Sequence, residues 1–145
     1  MPDINVIIGP PCAGKSTHVL SSKAAGDVVV DADALAKAIG APTSHARTGA
    51  HRSIVFKARQ AIISSVLAGV DAAAWIIHTN PSKALIQRYH DAGAKFQVID
   101  PGMDECLARC KSDDRPDGTE QVIRDWYDKP PSIQREKRNG AVWLY

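Results

Sequence analysis

The chain contains 145 residues and has a mass of 15.6 kDa; 44% of its residues are hydrophobic and 23% are charged. This size and composition suit one domain with a buried core and exclude a chain that is disordered by composition. The formal net charge of +2 excludes a histone-like polybasic protein but leaves room for a local basic patch. The sequence has three cysteines without a Cys-x-x-Cys pair, no signal-peptide pattern, and no apolar run near the roughly 20 residues of a membrane span. We therefore expect a cytoplasmic protein without a disulfide framework or a zinc cluster.

Short apolar runs alternate with longer helical patterns along the chain. The apolar runs predict strands at residues 4–8, 27–30, 73–77 and 96–99. Helices are predicted at 15–24, 33–39, 50–67, 81–92, 103–111 and 119–127, with Thr119 as the cap of the last one. In the longest helix, the expected buried stripe is Ile54, Ala58, Ala61, Ile62 and Val66. Strands that alternate with helices predict an α/β fold whose parallel sheet is covered on both faces.

The most specific pattern directly follows the first predicted strand. Residues 9–16 read Gly-Pro-Pro-Cys-Ala-Gly-Lys-Ser, which fits the Walker A pattern G-x-x-x-x-G-K-[ST] between a strand and a helix. Such a loop turns successive backbone N–H groups toward phosphate oxygens, and the helix N-terminus adds a positive dipole end. We expect Lys15 to reach the β- and γ-phosphates, Ser16 to bind magnesium and Thr17 to face the α-phosphate. The expected nucleotide-binding residues of this segment are Gly9, Pro10, Pro11, Cys12, Ala13, Gly14, Lys15, Ser16 and Thr17.

Two carboxylates, Asp31 and Asp33, follow the second predicted strand. Ligands of open α/β sheets gather outside the carboxyl ends of the strands, where the phosphate loop also begins. We expect Asp31 to bind magnesium and Asp33 to accept the proton of an attacking hydroxyl. The alternative role for either acid is to cap the helix that follows.

The third predicted strand ends at His78, where a motor or switch GTPase would place its magnesium-binding acid. The absence of an acid from 78–80 makes Asp31 the better candidate for magnesium. His78 is expected either to contact the acceptor or to fill a hydrogen-bonded strand end.

A basic stretch lies between Asp33 and Asp71, where the sequence has five Lys and Arg residues and no carboxylate. If residues 42–52 form a loop above the strand ends, this stretch provides an acceptor site that favours an anion. The candidate acceptor-binding residues are Lys37, Arg47, Arg52 and His78. Alternatively, the basic side chains only solvate the outer face of a helix.

A candidate lid covers approximately residues 109–128. Arg109 and Arg115 lie six residues apart, before a turn that contains Pro and Gly and a further helix. We expect Arg115 to stabilise charge on the transferred phosphoryl group and Arg109 to bind the nucleotide, while closure excludes water. The alternative is a charged surface hairpin. Cys106 and Cys110 share one helix face and are expected to be small buried residues.

These residues resemble the polynucleotide 5′-hydroxyl kinase group of P-loop phosphotransferases, particularly its phage-type kinase domain. The resemblance spans most of the chain and is carried by residues 9–17, Asp33, Thr79-Asn80, Arg115 and the Val-Ile-Arg-Asp-Trp-Tyr of 122–127. It implies that ATP or another NTP donates its γ-phosphate, with Mg²⁺, to the 5′-hydroxyl of a DNA or RNA end. It further implies that Asp33 is the general base, that Lys15 and Arg115 bind the γ-phosphate, and that Ser16 is a magnesium ligand.

Two positions depart from the family pattern, and both lie on the acceptor side. Family members usually have an Arg where Ala36 stands and often an Asp where His78 stands. Lys37, Arg47 or Arg52 could replace the missing Arg. A small-molecule, nucleoside or modified-base kinase is therefore the alternative function, followed by a non-catalytic NTP-binding switch or motor fragment.

The expected fold is a P-loop NTPase three-layer sandwich, with a four-stranded parallel sheet of order 2-3-1-4 and a helical lid, in a single domain over residues 1–145. Residues 141–145 could add an edge strand or pack on the outside.

Overall fold

The protein, described here as a computed structural model over residues 2–42, 49–131, 133 and 142–144, has one parallel sheet with helices on both faces. The strands are β1 (Ile4–Ile8), β2 (Val28–Val30), β3 (Ala74–His78), β4 (Lys95–Ile99) and β5 (Val142–Leu144). The helices are α1 (Lys15–Ser22), α2 (Ala32–Ala38), α3 (Gly49–Ala68), α4 (Lys83–Asp91), α5 (Met103–Ser112) and α6 (Thr119–Asp128). In the described ranges, no helix is both long and apolar enough to cross a membrane.

The strand order is β2-β3-β1-β4-β5, and every neighbouring pair is parallel. The predicted order 2-3-1-4 is confirmed for the first four strands. The predicted number of strands is too small, because β5 pairs with the outer edge of β4 from Gln97↔Val142 to Ile99↔Leu144. Of the two alternatives for the C-terminal segment, the backbone adopts the edge strand.

Two hydrophobic cores lie on opposite faces of the sheet, as the period of two along a strand requires. Val6 and Ile8 of β1 pack in one core with α3 and α4, and Ile7 packs in the other with α1 and α5. All three of these side chains are completely buried. Since β1 is buried on both faces in the middle of the sheet, the loop that follows it starts from a rigid position.

The helix α2 begins one residue before its predicted start at 33. Its first residue is Ala32, and the side chain of Asp31 accepts a hydrogen bond of 2.9 Å from the backbone N–H of Asp33. Asp31 is therefore the N-cap, and Asp33 lies in the first turn of the helix.

One further expectation about the helices is wrong, and another is confirmed only in part. Gly118, in a left-handed conformation, precedes α6, and the hydroxyl of Thr119 donates instead to the carbonyl of Pro116 at 2.8 Å. Of the stripe expected in α3, Val66 is buried and Ile62 packs against the core, but Ile54 is 52% exposed, and the other buried residues are Val55 and Ile63. Because Ile54 and Val55 are adjacent and both apolar, the sequence pattern did not define which of them faces the core.

The C-terminal end of α6 is attached to the ends of two strands. The indole N–H of Trp126 donates to the carbonyl of Thr79, after β3, at 2.7 Å. The hydroxyl of Tyr127 donates to Asp100 Oδ1, after β4, at 2.7 Å. Burial, with the hydrogen bond to Asp100, raises the pKa of Tyr127 and keeps the phenol protonated. The contacts fix this end of α6 to the rim of the sheet.

We predict that Tyr127→Phe lowers the free energy of unfolding by about 1–3 kcal/mol, because it removes only the hydroxyl and leaves the Asp100 carboxylate without this donor. Urea unfolding followed by circular dichroism measures the loss. Gln121→Ala is the control on the same helix, since it removes an exposed hydrogen bond to Asp125, and it should change stability by less than about 0.5 kcal/mol. Equal stabilities of the two variants would contradict the role given to the Tyr127 contact.

Candidate functional site

A cavity of about 1250 Å³ opens at the carboxyl ends of the central strands. Its walls come from the loop at residues 9–16 (loop 9–16), from the residues after β2 and β3, from α3, and from the segment that joins α5 to α6. The wall residues include Lys15, Ser16, Thr17, Asp31, Asp33, Arg52, Arg59, His78, Thr79, Asn80, Arg109, Arg115 and Val122. Most of the residues that the sequence singled out therefore surround one space.

Loop 9–16 has backbone conformations that only small or tolerant residues adopt. Gly14 has a φ of 95°, and Cys12 has a φ of 63°. A Cβ atom on Gly9 would lie 2.5 Å from the carbonyl oxygen of Ile99, so β1 and β4 leave room for glycine only. Gly9 and Pro10, at the start of the loop, are buried, while residues 11–17 line the cavity. The first N–H groups of α1 follow Gly14, which is the arrangement that binds anions.

The Lys15 ammonium is folded into this loop. It donates to the backbone carbonyls of Gly9 and Pro10, the latter at 2.8 Å, and to the hydroxyl of Thr79 at 3.4 Å. Burial lowers the pKa of Lys15 to about 8, and the nearby charge of Asp33 acts in the opposite direction. The amine is therefore held in a desolvated position where an incoming anion would strengthen its charged form.

Ser16 and Asp31 are in direct contact. The Ser16 hydroxyl donates to Asp31 Oδ2 at 2.9 Å, while Asp31 Oδ1 accepts the capping bond from Asp33. Asp31 thus both caps α2 and places a carboxylate oxygen beside the hydroxyl of loop 9–16. Asp33, in the first turn of α2, lines the same cavity.

The oxygen atoms of Ser16 and Asp31 fit the preferences of magnesium. Among the described residues, no group of three or more His, Cys, Asp or Glu side chains could hold a metal ion. Mg²⁺ does not need such a group, because it uses one or two protein oxygens together with water and the phosphates of a nucleotide. The hydroxyl of Ser16 and the carboxylate of Asp31, which lie side by side at the end of loop 9–16, meet that requirement.

Arg109 and Arg115 both reach the cavity wall, but in different ways. Arg109 donates to Glu105 at 2.9 Å and to the backbone carbonyl of Ala13 at 3.1 Å, so it connects α5 to the backbone of loop 9–16. The side chain of Arg115 is only 18% exposed and lies 3.9 Å from Asp113. Its positive charge lowers the pKa of Cys12, although burial dominates and raises that pKa to about 11. Arg115 is therefore close to the loop.

The three cysteines are free and buried. This agrees with the expectation that Cys106 and Cys110 fill the core, and it places Cys12 inside the loop as a packed side chain. The raised pKa of Cys12 keeps its thiol protonated and unreactive.

The candidate acceptor residues are not all brought together. Arg52 lines the cavity, but from the first turn of α3 and not from a loop. Lys37 is exposed on α2, away from the cavity wall. Arg47 lies in 43–48, outside the described residues. His78 is buried, and both of its ring nitrogens have partners, which favours the alternative of a hydrogen-bonded strand end.

Arg59 is a charged wall residue that was not among the candidates selected from the sequence. It lies on α3, and its Nη2 donates to the carbonyl of Ile77 and to Nδ1 of His78, the latter at 2.9 Å. The available signal was its spacing from Arg52. Residues seven apart on a helix lie on one face, so the same face of α3 directs both cations to the cavity.

Comparisons with known proteins support the fold. No family model and no curated protein matches the chain. A chain of the Pnkp1/Rnl/Hen1 RNA repair complex aligns with 94% of this chain at 19% identity, with a TM-score of 0.66. This chain spans only 45% of that one. TT1252 from Thermus thermophilus aligns with 99% of this chain at 18% identity, with a TM-score of 0.53 and coverage of 89% of its own length.

A third solved structure, the tunicamycin resistance protein of Deinococcus radiodurans, is less similar, with 15% identity and a TM-score of 0.45 over 91% of this chain and 98% of that one. At these identities the likeness concerns the fold. The first two structures confirm the expected α/β fold, in which helices cover both faces of a parallel sheet.

We predict that Gly9→Ala lowers the free energy of unfolding by about 1–3 kcal/mol, because the new Cβ must displace the backbone of β4 at Ile99. Gly49→Ala is the matched control, since nothing lies within 4 Å of its Cβ position at the start of α3. That variant should be neutral or more stable by up to about 1 kcal/mol, since Ala favours helix. Urea unfolding compares the two, and a neutral Gly9→Ala would contradict the close approach.

Proposed function

We propose that this protein is a kinase that transfers the γ-phosphate of ATP, or of another NTP, to a hydroxyl, with the 5′-hydroxyl of a DNA or RNA end as the principal acceptor. The observation that carries the proposal is the convergence of loop 9–16, the Ser16–Asp31 pair and Asp33 on one cavity. These residues supply the donor site, the metal site and the base that in-line phosphoryl transfer needs.

In this proposal the triphosphate lies on loop 9–16, where the N-terminal N–H groups of α1 bind its oxygens. Lys15 exchanges its bonds to the carbonyls of Gly9 and Pro10 for bonds to the β- and γ-phosphates. Ser16 and Asp31 would hold Mg²⁺, which neutralises phosphate charge when it is bound. Arg109 donates to the carbonyl of Ala13 and so stabilises the conformation of the loop.

Transfer then requires a base on the acceptor side. Asp33 lines the cavity beside loop 9–16, and its negative charge acts to raise the pKa of Lys15. As the acceptor oxygen attacks the γ-phosphorus, Asp33 takes the hydroxyl proton, and Lys15 and Arg115 stabilise the charge on the transferred group. The reaction needs little covalent chemistry from the protein, so positioning and charge account for most of the rate enhancement.

Two features support a nucleic-acid end as the acceptor. The acceptor side of the cavity carries the cations Arg52 and Arg59, which suit a substrate with phosphates. The fold is also shared with a chain of an RNA repair complex. A switch or motor is disfavoured, because β3 is followed by Thr79 and Asn80 and no acid stands at its end.

We predict that Asp33→Ala lowers the transfer rate by roughly 100-fold or more and leaves nucleotide binding intact, because a general base contributes about 10²–10⁴ to the rate. The assay offers labelled ATP with 5′-hydroxyl DNA, 5′-hydroxyl RNA, nucleosides and hydroxymethyl-containing duplex in parallel. Asp91→Ala, at the exposed end of α4, is the control and should keep full activity.

The same assay separates the alternatives. Label on the oligonucleotides supports the proposal, and label on nucleosides or modified bases alone supports the alternative kinase. ATP hydrolysis without transfer to any acceptor would indicate a switch or motor. Full activity of Asp33→Ala would remove Asp33 as the base.

We predict that Asp31→Asn raises the Mg²⁺ concentration for half-maximal activity about tenfold or more, since a neutral amide is a weaker ligand for this cation. Asn is as good an N-cap as Asp, so α2 and the unfolding free energy should be preserved. A magnesium titration of the transfer rate measures the first effect and urea unfolding the second. An unchanged magnesium dependence would leave Asp31 with the capping role alone.

A further inference from the structure

The N-terminal half of α3 extends beyond the carboxyl ends of the strands. Arg59 donates to the carbonyl of Ile77 at the end of β3, which marks the edge of the sheet along the helix. Ile63, after Arg59, packs in a core of the sheet, whereas Val55, before it, packs in a small core shared with α2. The helix begins at Gly49, so roughly 15 Å of it projects past the sheet, at 1.5 Å per residue.

Phe56 lies on the cavity side of this projecting segment, residues 49–58 of α3. It follows Arg52 by four residues and precedes Arg59 by three, and both arginines line the cavity. Side chains at these spacings share one face of a helix. Ile63, seven residues further along the same face, is buried, but Phe56 is 63% exposed because the sheet does not reach it. An exposed aromatic ring therefore stands at the mouth of the cavity.

The surroundings of Phe56 are polar and lack negative charge. Ser53 and Gln60, its other neighbours on the helix surface, are uncharged and exposed, and the sequence has no carboxylate in 34–70. Lys37, on α2, is exposed as well. Surfaces that bind other proteins present a contiguous apolar patch, and a single ring among polar groups is not such a patch. A positive surface with an individual aromatic ring is instead typical of proteins that bind single-stranded nucleic acid, in which a base stacks on the ring.

We propose that Phe56 is a stacking platform for a base of single-stranded DNA or RNA, and that this base lies on the 3′ side of the terminal nucleotide of the acceptor strand. The proposal rests on the proposed function and deepens it, because it assigns the path by which the strand leaves the cavity. A strand whose 5′ end lies beside Asp33 continues outside the cavity, and the projecting segment of α3 is the wall that it follows. Every base has a flat π-face, so the contact does not depend on sequence.

The test measures binding and does not depend on phosphate transfer. Octanucleotides of DNA and of RNA, each with a 5′-hydroxyl and a 3′ fluorophore, are titrated with the protein, and fluorescence anisotropy gives Kd. Phe56→Ala should weaken binding by roughly 5- to 100-fold, the usual effect of losing one base–aromatic stack, and Phe56→Trp should retain it. The slope of log Kd against log salt concentration should be unchanged in Phe56→Ala, since the ring neutralises no phosphate.

Ile54→Ala is the matched control, because it also removes an exposed apolar side chain from the projecting segment. Ile54 is 52% exposed, but residues two apart face different sides of a helix, and Ile54 lies away from the cavity wall. This variant should keep the wild-type Kd for both octanucleotides. Circular dichroism verifies that each variant folds.

A scan with an abasic nucleotide locates the stacked base. Removing the base at one of the positions second to fourth from the 5′ end should weaken binding to the wild type, and the same removal should cost Phe56→Ala nothing. A loss confined to the terminal nucleotide, or an equal loss in Phe56→Ala, would overturn the assignment.

Binding and transfer together separate this inference from the proposed function. If the wild type does not bind the octanucleotides, or if Phe56→Ala binds them as tightly, the inference is overturned even where phosphate is transferred, and a protein becomes the candidate occupant of this surface. Weaker binding with a changed salt slope would assign the loss to phosphate contacts and would also overturn stacking. If the wild type transfers phosphate to no acceptor but its binding depends on Phe56, the proposed function fails and the platform stands.

Discussion

The site depends on how loop 9–16 is held between the ends of three strands. Its first residue, Gly9, donates to the carbonyl of His78 at 3.1 Å and lies against the carbonyl of Ile99, where a single added carbon would not fit. The loop carbonyls are then bound by cations: Lys15 binds those of Gly9 and Pro10, and Arg109 binds those of Cys12 and Ala13. Since the C=O and the N–H of one planar peptide point in opposite directions, the bonds of Arg109 also fix the N–H groups of Ala13 and Gly14. The peptides after Gly9 and Pro10 lead into Pro10 and Pro11 and have no N–H. In the proposed function, this part of the loop is thus organised before any ligand arrives.

The order of the strands distributes charge around that site. Acids follow β2, loop 9–16 follows β1, and β3 between them ends without a carboxylate. The two acids have separate tasks, because Asp31 is bonded to both Ser16 and the start of α2, whereas Asp33 stands in the first turn and lines the cavity. In the proposed reaction, one strand end therefore provides an anchored carboxylate and a second carboxylate that lines the cavity where the hydroxyl would approach.

Much of this arrangement could be predicted from sequence, because its determinants are local. The strand–loop–helix context of residues 9–16 and the six described helices follow from apolar runs and turns. The order of the first four strands was expected from the resemblance to P-loop phosphotransferases. What the sequence did not reveal depends on distant contacts. Arg59, His78 and Tyr89 are 19 and 11 residues apart in the chain and meet only after α3, β3 and α4 pack together. Asp31 and Asp33 are only two residues apart, and no sequence pattern resolves which of them caps α2.

The replacement of an acid by His78 at the end of β3 has an electrostatic consequence. A carboxylate at this position would pair with Arg59 and cancel most of its charge, and it would also act on Lys15, whose charge already affects His78. A neutral imidazole makes the same kind of hydrogen bond without opposing the charge of the guanidinium. The side of the cavity that we assign to the acceptor then has two cations from one face of α3, Arg52 and Arg59. In the kinase proposed here, the neutral end of β3 therefore does not oppose the positive charge of Arg59 on the acceptor side. The cations of that side come from the long helix α3, because position 36 of the short helix α2 is a buried alanine.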